Sequence, residues 1–148
     1  MAIERKASAV WSGDLKHGSG RFSMASGTLT DTPYSFGTRF ENAPGTNPEE
    51  LIAAAHASCY SMALAATLGA RGFAPDEVET RATCTLEPQS GGGFKITRMH
   101  LQSRAKVPGI DATQFAEIAK AAEATCPVSN ALRGGVSIEL SATLAQTI

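Results

Sequence analysis

One long apolar segment interrupts the otherwise short-range alternation of hydrophobic and polar positions in this chain. Residues 45–72 read GTNPEELIAAAHASCYSMALAATLGARG and carry apolar side chains on most faces of a helix. The tetrapeptide Asn47–Glu50 supplies a cap, a proline for the first helical position and a glutamate for a capping box. Gly69 or Gly72 is expected to end the segment. The pattern therefore predicts one long helix, buried on most faces.

Shorter segments on both sides of this helix alternate with the period of a β-strand. Upstream, residues 7–12 and 21–29 predict two strands, and the Pro- and Gly-rich stretch 30–45 predicts an ordered loop with room for one short strand. Downstream, residues 78–86 and 94–107 predict a hairpin. The apolar parity of its second strand shifts between Ile96 and Met99, which indicates a bulge.

The C-terminal third predicts two more helices and a last strand. Asp111 and Gln114 form a second capping box, followed by an apolar stripe of Phe115, Ile118, Ala119 and Ala122. Pro127 begins a short helix that reaches about Arg133. From Val136 to Leu144 apolar and polar residues alternate strictly. We expect a single domain over residues 1–148, of the α+β class, with helices on a mostly antiparallel sheet.

Composition narrows the classes of function and the location. The chain is 43% apolar and 18% charged with a net charge of −1, so it offers no electrostatic case for binding nucleic acid or an anionic membrane. Residues 51–68 carry no formal charge and meet the length of a membrane span. Many of them are alanine and several are polar, which favours a helix inside a soluble domain. The first residues show no secretion signal, which predicts the cytoplasm.

The three cysteines differ in their local settings. Cys84 lies on the apolar face of a predicted strand and is expected to be a small core residue. Cys59 lies in the middle of the long helix, so a reactive thiol there needs a cation brought by the fold. Cys126 precedes Pro127 and can cap the short helix, where the dipole favours a thiolate. Cys59 and Cys126 match no zinc spacing, which suggests that the two thiols serve redox chemistry. Of the two, Cys126 has the local setting that favours a lowered thiol pKa.

Other polar residues leave alternatives open. His56 lies on the same helix face as Cys59, which allows a Cys–His acyl-transfer site, although a histidine bonded to a neighbouring group is favoured. A metal site from Cys59, Cys126, His56 and His100 is weaker still, because no spacing matches a zinc module. If Glu50 closes the capping box, Glu49 has no structural task beyond favouring the helix dipole. Arg39 lies in the predicted loop, in the sequence GTRFE.

These residues carry a resemblance to a known family. The stretches GTRFENAPGTNPEELIAAAHASCYSMAL, VPGIDATQF and CPVSNAL resemble the OsmC/Ohr family of organic hydroperoxide reductases, and the OsmC branch in particular. The resemblance implies an intertwined homodimer in which a mostly antiparallel sheet wraps around a long central helix. Its redox cysteines correspond to Cys59 and Cys126, its arginine to Arg39 and its glutamate to Glu49, with the active site at the subunit interface.

The implied chemistry is a thiol peroxidase in defence against oxidative or osmotic stress. Cys59 is expected to attack the peroxide, and Cys126 then to form a disulfide with it. An external dithiol, such as a lipoyl-type one, is the expected reductant, with no flavin, haem or metal. Candidates for an apolar substrate wall are Phe40, Leu51, Tyr60 and Met62. The alternative from another class is a non-catalytic small-molecule-binding or structural stress-response dimer.

Overall fold

The computed structural model describes residues 1–145 and divides into two compact units, Met1–Leu51 and the chain from Ile52 onward. The first unit holds an antiparallel sheet in the order β1 (Ala7–Ser12), β2 (Ser19–Met24) and β3 (Thr32–Ser35). Tyr34 contacts the rings of Trp11 and Phe22 on this sheet. Gly20 pairs with Tyr34, and a Cβ at Gly20 would lie 2.5 Å from the tyrosine ring, so the close approach requires glycine.

The stretch 30–45 is more regular than the sequence predicted. It contains β3 and also a short helix, α1 (Phe36–Phe40), so the prediction of a loop around Arg39 is wrong. Ser35 and Thr38 form a capping box in which each side chain bonds the other residue's backbone N–H. This cap stabilises a helix too short to show hydrophobic periodicity. The predicted strand 21–29 is also shifted, because β2 ends at Met24, before the turn that contains Gly27.

Helix α2 (Pro48–Ala70) begins and ends as the sequence predicted. The side-chain oxygen of Asn47 accepts a hydrogen bond from the Glu50 N–H at 2.8 Å. At the other end Gly72 has a φ of +85°, and Phe73 N–H donates to the Leu68 carbonyl. This is the arrangement of a glycine C-cap, so Gly72 ends the helix.

The second unit is built on three strands and two further helices. The sheet order is β4 (Glu77–Pro88), β5 (Phe94–Lys106) and β6 (Ser137–Leu144). Strands β4 and β5 are antiparallel, whereas β5 and β6 are parallel. Helices α3 (Ala112–Thr125) and α4 (Pro127–Leu132) provide the crossover between β5 and β6. The α+β class is confirmed, with two small sheets in the part of the chain that the structure describes.

Two details of this unit confirm the sequence analysis closely. Leu86 pairs with Ile96 and Thr85 pairs with Arg98, so Thr97 is the extra residue of the expected bulge. The expected α3 stripe is buried in full, and Asp111 and Gln114 form the capping box.

The hydrophobic core of the unit consists of α2, β5 and α3 side chains together with Cys126. It includes Tyr60, Leu64, Leu68, Leu101, Ala105, Phe115, Ile118, Ala119 and Ala122.

Helix α2 is buried on one face only. His56, Tyr60, Leu64 and Leu68 are fully buried, while Ala54, Ser58, Met62 and Ala66 form an exposed stripe. The expectation of burial on most faces is therefore wrong for a single copy. By length and composition α2 could cross a membrane, and 22% of its apolar stretch is buried. Because its other face packs into the core of the second unit, we interpret it as a core helix.

Candidate active site

The two cysteines singled out in the sequence are in contact. The Cys126 thiol donates to the Cys59 sulfur with an Sγ–Sγ distance of 3.4 Å. Cys126 is fully buried, and Cys59 is partly exposed. Both are reduced. The fold thus places two thiols within reach of a disulfide after a small movement.

Cys126 owes its position to the junction between two helices. Helix α3 ends at Thr125, and Cys126 is both its C-cap and the N-cap of α4, where Pro127 takes the first position. Its backbone N–H donates to the Glu123 carbonyl. Cys126 thus takes the N-cap position that the sequence predicted, but its side chain makes no capping hydrogen bond. The thiol is therefore free to point toward Cys59.

The start of α4 acts on Cys59 instead. Burial raises the pKa of the Cys59 thiol, and the neighbouring Cys126 side chain raises it further. A hydrogen bond from the Val128 backbone opposes these effects, and the pKa stays above its ordinary value. Within a single chain these effects therefore disfavour the Cys59 thiolate. The sequence analysis did not identify Val128, because a backbone donor leaves no residue-type signal.

His56 is bonded to a buried serine and not to Cys59. Its Nε2 lies 2.7 Å from the Ser129 hydroxyl oxygen, and both side chains are fully buried. Within residues 1–145 its Nδ1 has no hydrogen-bond partner. Burial lowers the pKa of His56, and the charge of Glu123 opposes this effect. The favoured expectation of a histidine bonded to a neighbour is confirmed, and the Cys–His acyl-transfer pair has no support in this geometry.

Arg39 and Glu49 form an ion pair within the first unit. Arg39 Nη2 lies 2.8 Å from Glu49 Oε1, and Nε lies 3.2 and 3.3 Å from the two carboxylate oxygens. Glu49 is only 8% exposed. The guanidinium also lies over the Phe40 ring at 5.0 Å. These contacts hold the guanidinium in one orientation, because the carboxylate accepts from both Nε and Nη2 along one edge of the planar group.

The candidates for a substrate wall are dispersed. Phe40 and Arg39 line a cavity of about 300 Å³, and Leu51 lines a second cavity of about 300 Å³ with Phe22 and Tyr34. Met62 is exposed. Tyr60 is fully buried, and its hydroxyl donates to the Ala119 carbonyl, so its assignment to a pocket wall is wrong.

The remaining metal and thiol candidates stay apart from this site. Cys84 lies in β4 opposite Met99 and is half-buried. His100 Nε2 lies 3.0 Å from the Ser141 hydroxyl between neighbouring strands. Among residues 1–145 no three His, Cys, Asp or Glu side chains converge in a way that could hold a metal ion. The four-residue metal set considered from the sequence is not assembled.

The fold and the thiol pair define a small α+β protein with a dithiol site. Residues 40–141 match the family model described as OsmC-like protein. The chain is 48% identical to peroxiredoxin OsmC of Escherichia coli strain K12 over 139 residues, which cover 94% of this chain and 96% of that protein. It is 32% identical to the organic hydroperoxide resistance protein OhrB of Bacillus subtilis over 68% of this chain and 71% of that protein.

Solved structures agree with this relationship. The crystal structure of Bacillus subtilis OhrB superposes with a TM-score of 0.71 at 26% identity, over 93% of this chain and 98% of that chain. An OsmC-like protein from Mycoplasma pneumoniae, at 17% identity, shares the fold with a TM-score of 0.76 over 99% of this chain and all of that chain. The chain belongs to the OsmC family.

Proposed function

We propose that this protein is a thiol-dependent peroxidase that reduces organic hydroperoxides to alcohols. The relatives named peroxiredoxin and organic hydroperoxide resistance protein support a role in peroxide reduction or hydroperoxide resistance. The observation that carries the specific proposal is the 3.4 Å contact between the sulfur atoms of Cys59 and Cys126. A pair of reduced thiols at this distance can take up two oxidising equivalents and store them as a disulfide.

The proposed cycle balances with these two thiols and one external reductant. The Cys59 thiolate attacks the terminal oxygen of ROOH, the O–O bond breaks, and ROH leaves after taking a proton. Cys59 is then a sulfenic acid. The Cys126 sulfur displaces its hydroxyl group, which leaves as water, and a Cys59–Cys126 disulfide forms. An external dithiol, such as a lipoyl-type dithiol, restores both thiols by exchange and becomes a disulfide itself.

Activation of Cys59 is the step that needs Arg39 and Glu49. Because burial raises the Cys59 pKa, the thiolate requires a cation next to it. We assign this task to Arg39, with Glu49 fixing its guanidinium, at the interface between two copies of the chain. The exposed apolar stripe of α2 contains Met62, which is 75% exposed, and supports a homodimer because apolar surface of this kind marks interfaces.

The cycle uses sulfur alone, so the protein works without a prosthetic group or metal. We also propose that residues 1–148 form a single domain. A reduced dithiol site suits the cytoplasm, where thiols are kept reduced. Organic peroxides are the preferred substrates, and the aromatic residues around Arg39, including Phe36 and Phe40, are the candidates for contacts with the organic group.

The test is a thiol titration of the reduced protein before and after one equivalent of cumene hydroperoxide. We expect the loss of two thiols per chain and the release of one equivalent of cumyl alcohol. Cys84→Ser should lose the same two thiols, because Cys84 lies outside the pair. An unchanged thiol count would refute the peroxidase and favour a non-catalytic binding or structural dimer.

A further inference from the structure

Two contacts join helix α2 to helix α4 and its N-cap, one turn apart. The first is the sulfur contact between Cys59 and Cys126. The second is the hydrogen bond of 2.7 Å between His56 Nε2 and the Ser129 hydroxyl. His56 precedes Cys59 by three positions on one element, and Ser129 follows Cys126 by three positions on the other. Residues three apart in a helix lie on one face, so the two contacts are neighbours.

The second of these contacts, between His56 and Ser129, is a polar one. His56 and Ser129 are both 0% exposed. Burying two polar side chains costs free energy unless they bond each other, and here they do. Their hydrogen bond therefore fixes α4 against α2 with a directionality that apolar packing alone would not supply.

We propose that His56 and Ser129 are positioning residues for the resolving step, a role that rests on the proposed function. Their hydrogen bond holds the first turn of α4 against α2, so the Cys126 sulfur and the Val128 N–H stay directed at Cys59. Neither residue touches the peroxide. The bond acts on the geometry of disulfide formation, in which a misplacement of about 1 Å costs on the order of a hundredfold in rate.

Two amides at position 56 separate the position of the hydrogen-bonding nitrogen from the basicity of histidine. In glutamine the amide nitrogen is as many bonds from Cα as Nε2 is in histidine, whereas in asparagine it corresponds to Nδ1. His56→Gln therefore keeps a partner for Ser129 and has no basic nitrogen, and His56→Asn removes the partner. Ser129→Ala removes the hydroxyl from the other side. Ser61→Ala is the matched control, since Ser61 bonds Thr80 at 2.8 Å from the same helix but faces β4.

The first readout follows single turnover with cumene hydroperoxide by stopped flow and by trapping of the sulfenic acid. His56→Asn and Ser129→Ala should form the sulfenic acid within about threefold of the wild-type rate and then form the disulfide about tenfold or more slowly. The double variant should be no slower than either single variant. His56→Gln and Ser61→Ala should form the disulfide at the wild-type rate. If His56→Gln is as slow as His56→Asn, or if Ser61→Ala is slowed equally, the positioning role is overturned.

A second readout does not depend on peroxide chemistry. The Cys59–Cys126 disulfide is equilibrated with a glutathione redox buffer, which reports the effective concentration of one thiol toward the other. We expect a fall of about tenfold in His56→Asn and Ser129→Ala and no change in His56→Gln. If the wild-type protein ignores peroxide yet shows these differences, the proposed function fails and the positioning role stands. Equal effective concentrations in all variants would refute the positioning role even in an active peroxidase.

Discussion

The sulfur atoms of Cys59 and Cys126 are 3.4 Å apart although the residues are 67 positions apart in the sequence. One lies in the middle of helix α2, and the other lies at the junction between α3 and α4. Burial raises the pKa of Cys59, and the Val128 hydrogen bond opposes this effect. The pair is therefore arranged for disulfide formation, while the activation of the attacking thiol must come from elsewhere.

The first prediction assigns the two thiols to different steps. Cys59→Ser should not react with peroxide. Cys126→Ser should reduce one equivalent, accumulate a sulfenic acid that dimedone traps, and lose turnover, because no thiol remains to displace the hydroxyl group. Mass spectrometry of the trapped protein checks this assignment, with Cys84→Ser as the control that retains both steps. The reverse pattern, with the fast single turnover kept in Cys59→Ser, would make Cys126 the attacking thiol.

The second prediction concerns the activation of Cys59 by Arg39. Arg39→Ala should lower peroxide reduction at pH 7 by about tenfold or more and recover part of it at higher pH, where the thiol ionises unaided. It should also lower the free energy of unfolding by about 1–3 kcal/mol, because Glu49 is nearly buried and loses its partner. Adding Glu49→Gln should restore stability and leave activity low. Steady-state kinetics from pH 6 to 9 and urea unfolding separate the two effects.

Neighbouring charged residues provide the controls for this prediction. Glu50 follows Glu49 directly but is exposed, so Glu50→Gln should keep the activity. Arg21 forms an exposed pair with Asp31, and Arg21→Ala should change neither quantity measurably. Full activity of Arg39→Ala at pH 7 would remove Arg39 from the mechanism.

The elements that were predicted well are those in which several local signals agree. Helix α3 combines an Asp111–Gln114 capping box with an apolar stripe, and the structure has both. The bulge at Thr97 could be predicted from the sequence because it shifts the side-chain alternation of β5. Helix α1 was missed because five residues are too few for a periodic pattern, and its signal is confined to the Ser35–Thr38 cap.

The site itself was only partly visible in the sequence. The residue types and the family resemblance suggested Cys59 and Cys126, but no local rule could show that their sulfur atoms touch. Ser129 stands in the conspicuous CPVS motif, yet its partner His56 is on a different helix, and only the fold brings them together. The direction of the Cys126 side chain depends on packing as well, and it makes no capping hydrogen bond although Cys126 takes the expected N-cap position.

The third prediction links His56 to stability at acidic pH. Burial lowers the His56 pKa below the ordinary 6.5, and the charge of Glu123 on α3, which is paired with Arg133, opposes this effect. Below about pH 6.5 the unfolded chain therefore binds a proton that the folded protein does not. The free energy of unfolding should fall as the pH drops, by at most about 1.4 kcal/mol per pH unit from this residue.

Urea unfolding from pH 7.5 to 5 measures this contribution as a difference between variants. His56→Gln has no titrating group at this position, so its free energy of unfolding should fall less steeply than that of the wild type. Ser61→Ala loses a hydrogen bond on the same helix but no proton-binding group, and it should keep the wild-type slope. Equal slopes in His56→Gln and the wild type would contradict a neutral buried imidazole.

The last prediction concerns the exposed apolar stripe of α2. Met62 lies in the centre of this stripe and is 75% exposed in a single copy, whereas the opposite face of the helix is buried in the core. If two copies pack through this stripe, Met62→Lys places a charge in the interface and should turn the dimer into a species near 15.4 kDa in sedimentation at micromolar concentration. Ile3→Lys changes an exposed apolar residue outside α2 and should leave the dimer intact.

Because the active site is proposed at the interface, the Met62→Lys monomer should react with peroxide slowly while keeping its fold by circular dichroism. A wild-type protein that reduces peroxide yet sediments only as the monomer, or a fully active Met62→Lys monomer, would show that Cys59 is activated within one chain.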